Sequence, residues 1–179
     1  MERFADIEIL RYELTGFEKL SLREKRLVYC LSQATLWGRD ITFDQYGAYN
    51  LKIRQLLECI YTYFGEEKCV DEDYAHLVVY LKRIWFSNGI HHHYSGMKIQ
   101  PGFSREYFIR LVKSIPAEKN ALLETTNIDV LLDELLPVMF DEDVMPQRVN
   151  HSDGEDLVAT SASNYYEGVT DAEVQAYYN

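Results

Sequence analysis

No apolar run in this 179-residue chain approaches the roughly 20 residues that a membrane-spanning helix needs. The start, MERFADIEIL, lacks the charged-then-apolar pattern of a signal peptide. A soluble protein is expected; the compartment stays open, with the cytoplasm favoured over the periplasm. Basic residues are scarce, because 18 Lys and Arg stand against 29 Asp and Glu and give a formal net charge of −11. Phosphate backbones call for a basic patch, so a nucleic-acid partner is not expected, and an anionic membrane surface is disfavoured by the same sign. Three cysteines, Cys30, Cys59 and Cys69, are too few and too scattered for a disulfide framework. Cys30 and Cys59 fall inside helical patterns, where a free thiol is expected to be buried as a small apolar residue, whereas Cys69 falls in a loop. Catalytic signatures are missing too: there is no HExxH, GxSxG, GxxxxGKS/T or GxGxxG.

What is present describes an ordinary globular protein, 47% hydrophobic and 26% charged. A domain of this size buries roughly 70% of its unfolded surface. One mainly α module spanning residues 1–179 is predicted, with one or few short strands. Residues 1–16 form a strand region, residues 17–115 a helical core carrying a cleft loop at 87–103, and residues 116–179 a helix followed by an irregular part.

Alternation around Ile7 and Ile9 predicts a strand that ends at Thr15-Gly16, with no partner evident in the next hundred residues. Ser21-Leu22-Arg23-Glu24 is a capping box and opens a helix with Leu27, Val28, Leu31, Ala34 and Thr35 on its apolar face. Arg39 to Asn50 reads as turn-rich. Helical spacing resumes with Ile53, Leu56, Leu57, Ile60, Tyr61 and Phe64 and stops at Gly65, before a charged linker containing Glu66-Glu67. The cleanest stripe follows from Asp71: Tyr74, Leu77, Val78, Leu81, Ile84 and Trp85. Ser104 caps a helix through Tyr107, Phe108, Leu111, Val112 and Ile115, and Asn127 or Asp129 opens another in which Pro137 marks an end or a kink. Thr170-Asp171-Ala172-Glu173 is a second capping box. It sits so near Asn179 that the chain looks cut short.

Periodicity stops between Trp85 and Phe103, where WFSNGIHHHYSGMKIQPGF crowds polar, aromatic and imidazole groups into an irregular segment. Three histidines in a row invite a metal site. In an extended segment, however, only His91 and His93 face the same way, and zinc wants at least three protein ligands. A polar loop whose imidazoles bond backbone carbonyls and a loop lining a binding cleft both remain open. His76 reads as a boundary histidine beside a helical core face, and His151 beside Ser152 and Asp153 is no triad, because triad members converge in space rather than in sequence. Asp141, Glu142 and Asp143 lack the spaced ligands and glycine of an EF-hand and read as a solvated turn.

Trp85-Phe86-Ser87-Asn88-Gly89 to Tyr94-Ser95-Gly96, then Lys98-Ile99-Gln100-Pro101, resembles the N-terminal signature of the dipeptidyl peptidase III family of zinc exopeptidases. In that family a helix ending in Tyr-Ser-Asn leads through Gly-Asn-Tyr-x-Ser-Phe-Gly-Asp to Lys-Phe-x-Pro. Tyr165-Tyr166-Glu167-Gly168-Val169-Thr170 resembles the family's Tyr-Phe/Tyr-Ser-Gly/x-Asn-x-Thr segment, and Leu31 to Gly38 is similar to its Ser-Arg-Ala-Ala-Trp-Tyr-Gly. WFSNGIHHHYS looks like the form of a bacterial branch of the family.

The resemblance implies a two-lobed enzyme that removes dipeptides from the N-termini of short peptides. Its zinc would be held by His-Glu-x-x-Gly-His or His-Glu-x-x-x-Gly-His and a downstream Glu. Neither motif occurs here, so the chain would be an N-terminal segment of the zinc-free lobe, inactive alone, with zinc bound by residues outside it. Its partners would be the short peptide substrate and the remaining lobe. By the resemblance Trp37, His91, His92, Tyr94, Ser95 and Gly96 would face peptide. Four departures keep substrate preference from carrying over: the loop is one residue shorter than the family's, histidines stand where the family often has Asn, Tyr and Lys, Met97 replaces an acidic or small residue, and Leu36-Trp37 shifts the aromatic pair. The competing expectation is a stand-alone helical interaction module that uses the 85–103 loop as a docking surface.

Overall fold

The computed structural model describes residues 2–65, 71–119, 122–123 and 127–179. The chain is mainly helical and begins with a two-stranded antiparallel sheet, β1 (Glu2–Phe4) and β2 (Ile7–Ile9). The helices are α1 (Leu22–Trp37), α2 (Arg39–Tyr46), α3 (Asn50–Phe64), α4 (Glu72–Ser87), α5 (Arg105–Ser114), α6 (Ile128–Phe140), α7 (Leu157–Thr160) and α8 (Asp171–Tyr178). The expected linker at Glu66-Glu67 and Cys69 lie outside the described residues.

The core forms where the apolar stripes of α3 to α6 meet. Ile53, Leu56, Leu57 and Ile60 of α3 lie against Leu77, Leu81 and Ile84 of α4, with Phe108 and Val112 of α5 and Leu131, Leu135 and Met139 of α6 in the same cluster. Each such side chain, fully removed from water, contributes roughly 1.5–3 kcal/mol. Ile90, Ile99 and Phe103 of the irregular segment enter this cluster as well, so the loop after α4 is anchored in the core.

Most helix starts follow their caps. Asp71 accepts from Tyr74 N–H at 2.7 Å, Ser104 from Tyr107 N–H at 3.2 Å and Asn127 from Asp129 N–H at 2.9 Å. Ser21 and Thr170 each complete a capping box. Pro137 does not end α6, which runs on to Phe140 as Val138 and Met139 enter the core.

Four local expectations change. The partner of the Ile7–Ile9 strand precedes it: Phe4 pairs with Ile7 and Glu2 with Ile9, and the strand stops well short of Thr15-Gly16. Phe4 and Ile7 are buried, with the Phe4 ring edge-on to Phe86 of α4 at 6.5 Å, and Glu2 meets Lys82 at 3.1 Å. The turn-rich stretch after Gly38 is instead helix α2, because burying Phe43 under the Arg54 guanidinium, 4.5 Å from the ring centroid, outweighs the weak local propensity. The expected apolar face of α1 is not covered: Leu27, Val28 and Leu31 are all exposed, and no residue of the helix is buried. Cys30 lies on that helix and is exposed, whereas Cys59 is buried as expected.

Candidate functional site

The irregular segment is shaped first by the way α4 ends. Asn88 takes a left-handed conformation with φ 55, and its N–H reaches back to the Ile84 carbonyl. Gly89 follows with φ 152, and a Cβ there would stand 2.3 Å from Asn50 Nδ2, so the position admits only glycine. Asn50 is buried at the start of α3. Its amide donates to the Phe43 carbonyl at 3.2 Å and accepts from Ile90 N–H at 3.1 Å. One side chain thereby ties α2, α3 and the loop together. No sequence motif marks it, since it neither caps its helix nor belongs to an apolar stripe.

Beyond Ile90 the chain doubles back on itself. Ile99 N–H donates to the Ile90 carbonyl at 2.8 Å, His92 N–H to Met97 at 2.7 Å and Gly96 N–H to His92 at 2.9 Å. The outer side of the return segment is paired too, with Lys98 N–H on the Pro146 carbonyl at 2.9 Å and Arg148 N–H on Gly96 at 2.8 Å. Lys98 Nζ donates to the Asp141 carbonyl at 2.5 Å and the Val144 carbonyl at 2.6 Å. The acidic turn at Asp141 to Asp143 thus serves the loop through its backbone. Burial lowers the Lys98 pKa, and the Asp141 and Glu142 carboxylates oppose that shift.

His91 points inward. Its Nε2 meets the Met145 carbonyl at 2.8 Å, and Met145 itself holds a left-handed backbone at φ 52. A carbonyl only accepts, so Nε2 carries the proton, and Nδ1 is buried with no partner among the described residues. Burial holds the His91 pKa below the ordinary imidazole value, against the opposing pull of the Met145 bond.

The next two imidazoles lie on the hairpin side. His92 Nε2 is 3.6 Å from Asp6 Oδ2, and the His93 ring stands edge-on to Phe86 at 4.8 Å and 4.3 Å from His92. Asp6 in turn meets the Arg83 guanidinium at 3.2 Å. A hydrogen bond from its own backbone, then the Arg83 guanidinium and the hydrogen bond to His92, lower the Asp6 pKa.

Of the six residues expected to face peptide, His92, Tyr94, Ser95 and Gly96 are brought together at the tip, where Tyr94 is 90% exposed. His91 departs from that expectation: at 2% exposure its ring is sealed inside and anchors the loop rather than offering a contact. Trp37 stands apart at the end of α1, 88% exposed. His91 and His93 face different surroundings. Among the described residues no three His, Cys, Asp or Glu side chains converge in a group that could hold a metal ion. His76 is an exposed boundary residue 3.3 Å from where a Gly102 Cβ would stand, and His151 is exposed. Asn50, Asp6 and Met145 shape the site from far off in sequence, and Arg83 does so from α4 just before it. Compared with known proteins, the chain matches no family model and no curated sequence.

Proposed function

We propose that this chain is the N-terminal, zinc-free part of a dipeptidyl peptidase III-like metallopeptidase, an enzyme that removes dipeptides from the N-termini of short peptides, and that it supplies one wall of the substrate cleft. The observation that carries the proposal is the continuity of the residues in the resemblance. Trp85 to Gly89 end α4, Tyr94 to Gly96 form a tip closed by backbone bonds on both flanks, and Lys98 to Pro101 return to the core. A cleft wall needs polar groups held at fixed positions, and a tip pinned through Asn50 and His91 meets that need. Tyr94 and Ser95 are open to solvent, where the Tyr94 hydroxyl can donate to or accept from a peptide backbone and Ser95 Oγ can accept from it. The uncovered apolar side of α1, ending at Trp37, gives a second lobe a surface to pack on.

In this proposal the zinc that activates water for peptide-bond cleavage belongs to polypeptide outside the chain, and no residue here is assigned a part in bond breaking. Dipeptidyl-naphthylamide hydrolysis with added zinc tests it, comparing this chain with the same chain extended through its downstream coding sequence. Activity is expected only in the extended protein, where Tyr94→Ala should raise KM more than it lowers kcat. Activity in neither protein would overturn the peptidase reading and leave the helical interaction module, with the 85–103 loop as its docking surface.

A further inference from the structure

We propose that His92 and Asp6 are positioning residues that shape the Tyr94–Gly96 tip, His92 through a bare Nδ1 that receives the backbone and Asp6 by favouring the proton on Nε2. Three groups converge on His92 Nδ1: Tyr94 N–H at 3.3 Å, Ser95 N–H at 3.2 Å and Ser95 Oγ at 3.3 Å. Backbone N–H groups can only donate, so Nδ1 must present a lone pair, and the neutral ring then carries its proton on Nε2. That nitrogen is the one facing the Asp6 carboxylate, whose charge favours a proton there. Ser95 Oγ also accepts Met97 N–H at 3.3 Å, which leaves its hydroxyl hydrogen to donate to Nδ1. The imidazole thus plays the part that an Asn or Asp carbonyl oxygen plays in a side-chain-closed turn, bonding the N–H groups two and three residues ahead.

The groups around this ring are Asp6 from the hairpin, Arg83 from α4 behind Asp6, and His93 beside it. Because Asp6 lies in the turn between β1 and β2, the N-terminal hairpin helps set the shape of the tip. His92 was expected to face peptide. Resting on the peptidase proposal, the peptide contact instead falls to Tyr94 and Ser95, with His92 acting through them.

The test uses the chain itself and needs no hydrolysis. Long-range nitrogen–proton correlation spectra of the imidazoles should show His92 in the Nε2–H tautomer. Amide exchange should show that His92→Asn, whose side-chain oxygen falls close to the position of Nδ1, keeps Tyr94 and Ser95 as protected as in the parent. His92→Ala should speed both by about tenfold. Asp6→Ala should raise the share of the Nδ1–H tautomer and speed the same two amides. A parent His92 in the Nδ1–H tautomer overturns the proposal without any variant, and so do Tyr94 and Ser95 amides as slow in His92→Ala as in the parent. An unchanged tautomer in Asp6→Ala overturns the part given to Asp6. None of these readouts depends on activity, so an inactive extended protein with an intact tip would sink the peptidase reading alone.

Discussion

Replacing Asn50 with alanine should destabilise the chain by about 2–6 kcal/mol, the cost of stranding Ile90 N–H and the Phe43 carbonyl inside the protein at roughly 1–3 kcal/mol for each buried unpaired group. For a domain of this size that corresponds to a fall in Tm of roughly 4–24 °C. Gly89→Ala should be damaging on its own, because its Cβ would lie 2.3 Å from Asn50 Nδ2 and its φ of 152 disfavours any side chain. The two effects share one contact. In the Asn50→Ala background the clash disappears and only the backbone strain remains, so the double variant should be more stable than the sum of the singles by about 1 kcal/mol or more. Urea titrations of the parent, both singles and the double, followed by circular dichroism and by tryptophan fluorescence, give the cycle. An Asn50→Ala cost below about 1 kcal/mol, or additivity within about 0.5 kcal/mol, would refute the claim that one amide joins α2, α3 and the loop.

Burial holds the His91 pKa down, so between its folded value and about 6.5 the unfolded chain binds more protons and stability rises with pH. The contribution is complete above about pH 6.5 and is lost as pH falls through the folded pKa; urea midpoints followed downward from neutral pH should fall less steeply in His91→Gln than in the parent. Leu31→Ala on the uncovered face of α1 should change stability by no more than about 0.5 kcal/mol. Leu81→Ala in the core should cost about 3 kcal/mol, and equal costs in urea unfolding would mean that α1 is covered in solution.

The helices of the core were legible because their signals are local. The stripe from Tyr74 to Ile84 and the caps at Asp71, Ser104 and Asn127 each depend on residues a few positions apart, a spacing set by the helix itself. Propensity misjudged α2, where one distant partner, Arg54, makes burying Phe43 worthwhile. The Trp85 to Phe103 segment was recognisable as irregular and chemically dense, but three adjacent histidines carry no sign of which way each will turn.

Sequence by itself determined the helical class, most helix boundaries in the core and the place of the irregular loop, because periodicity and capping are short-range physics. Only the tertiary structure decided that His91 would be sealed against Met145, that His92 would lean toward Asp6 and that Asn50 would lock Gly89. It alone decided, too, that the apolar side of α1 would stay uncovered. A stripe states that a face gains by being covered. Whether it is covered, and by what, depends on which distant surfaces arrive at the same place, and no local pattern of residues encodes that.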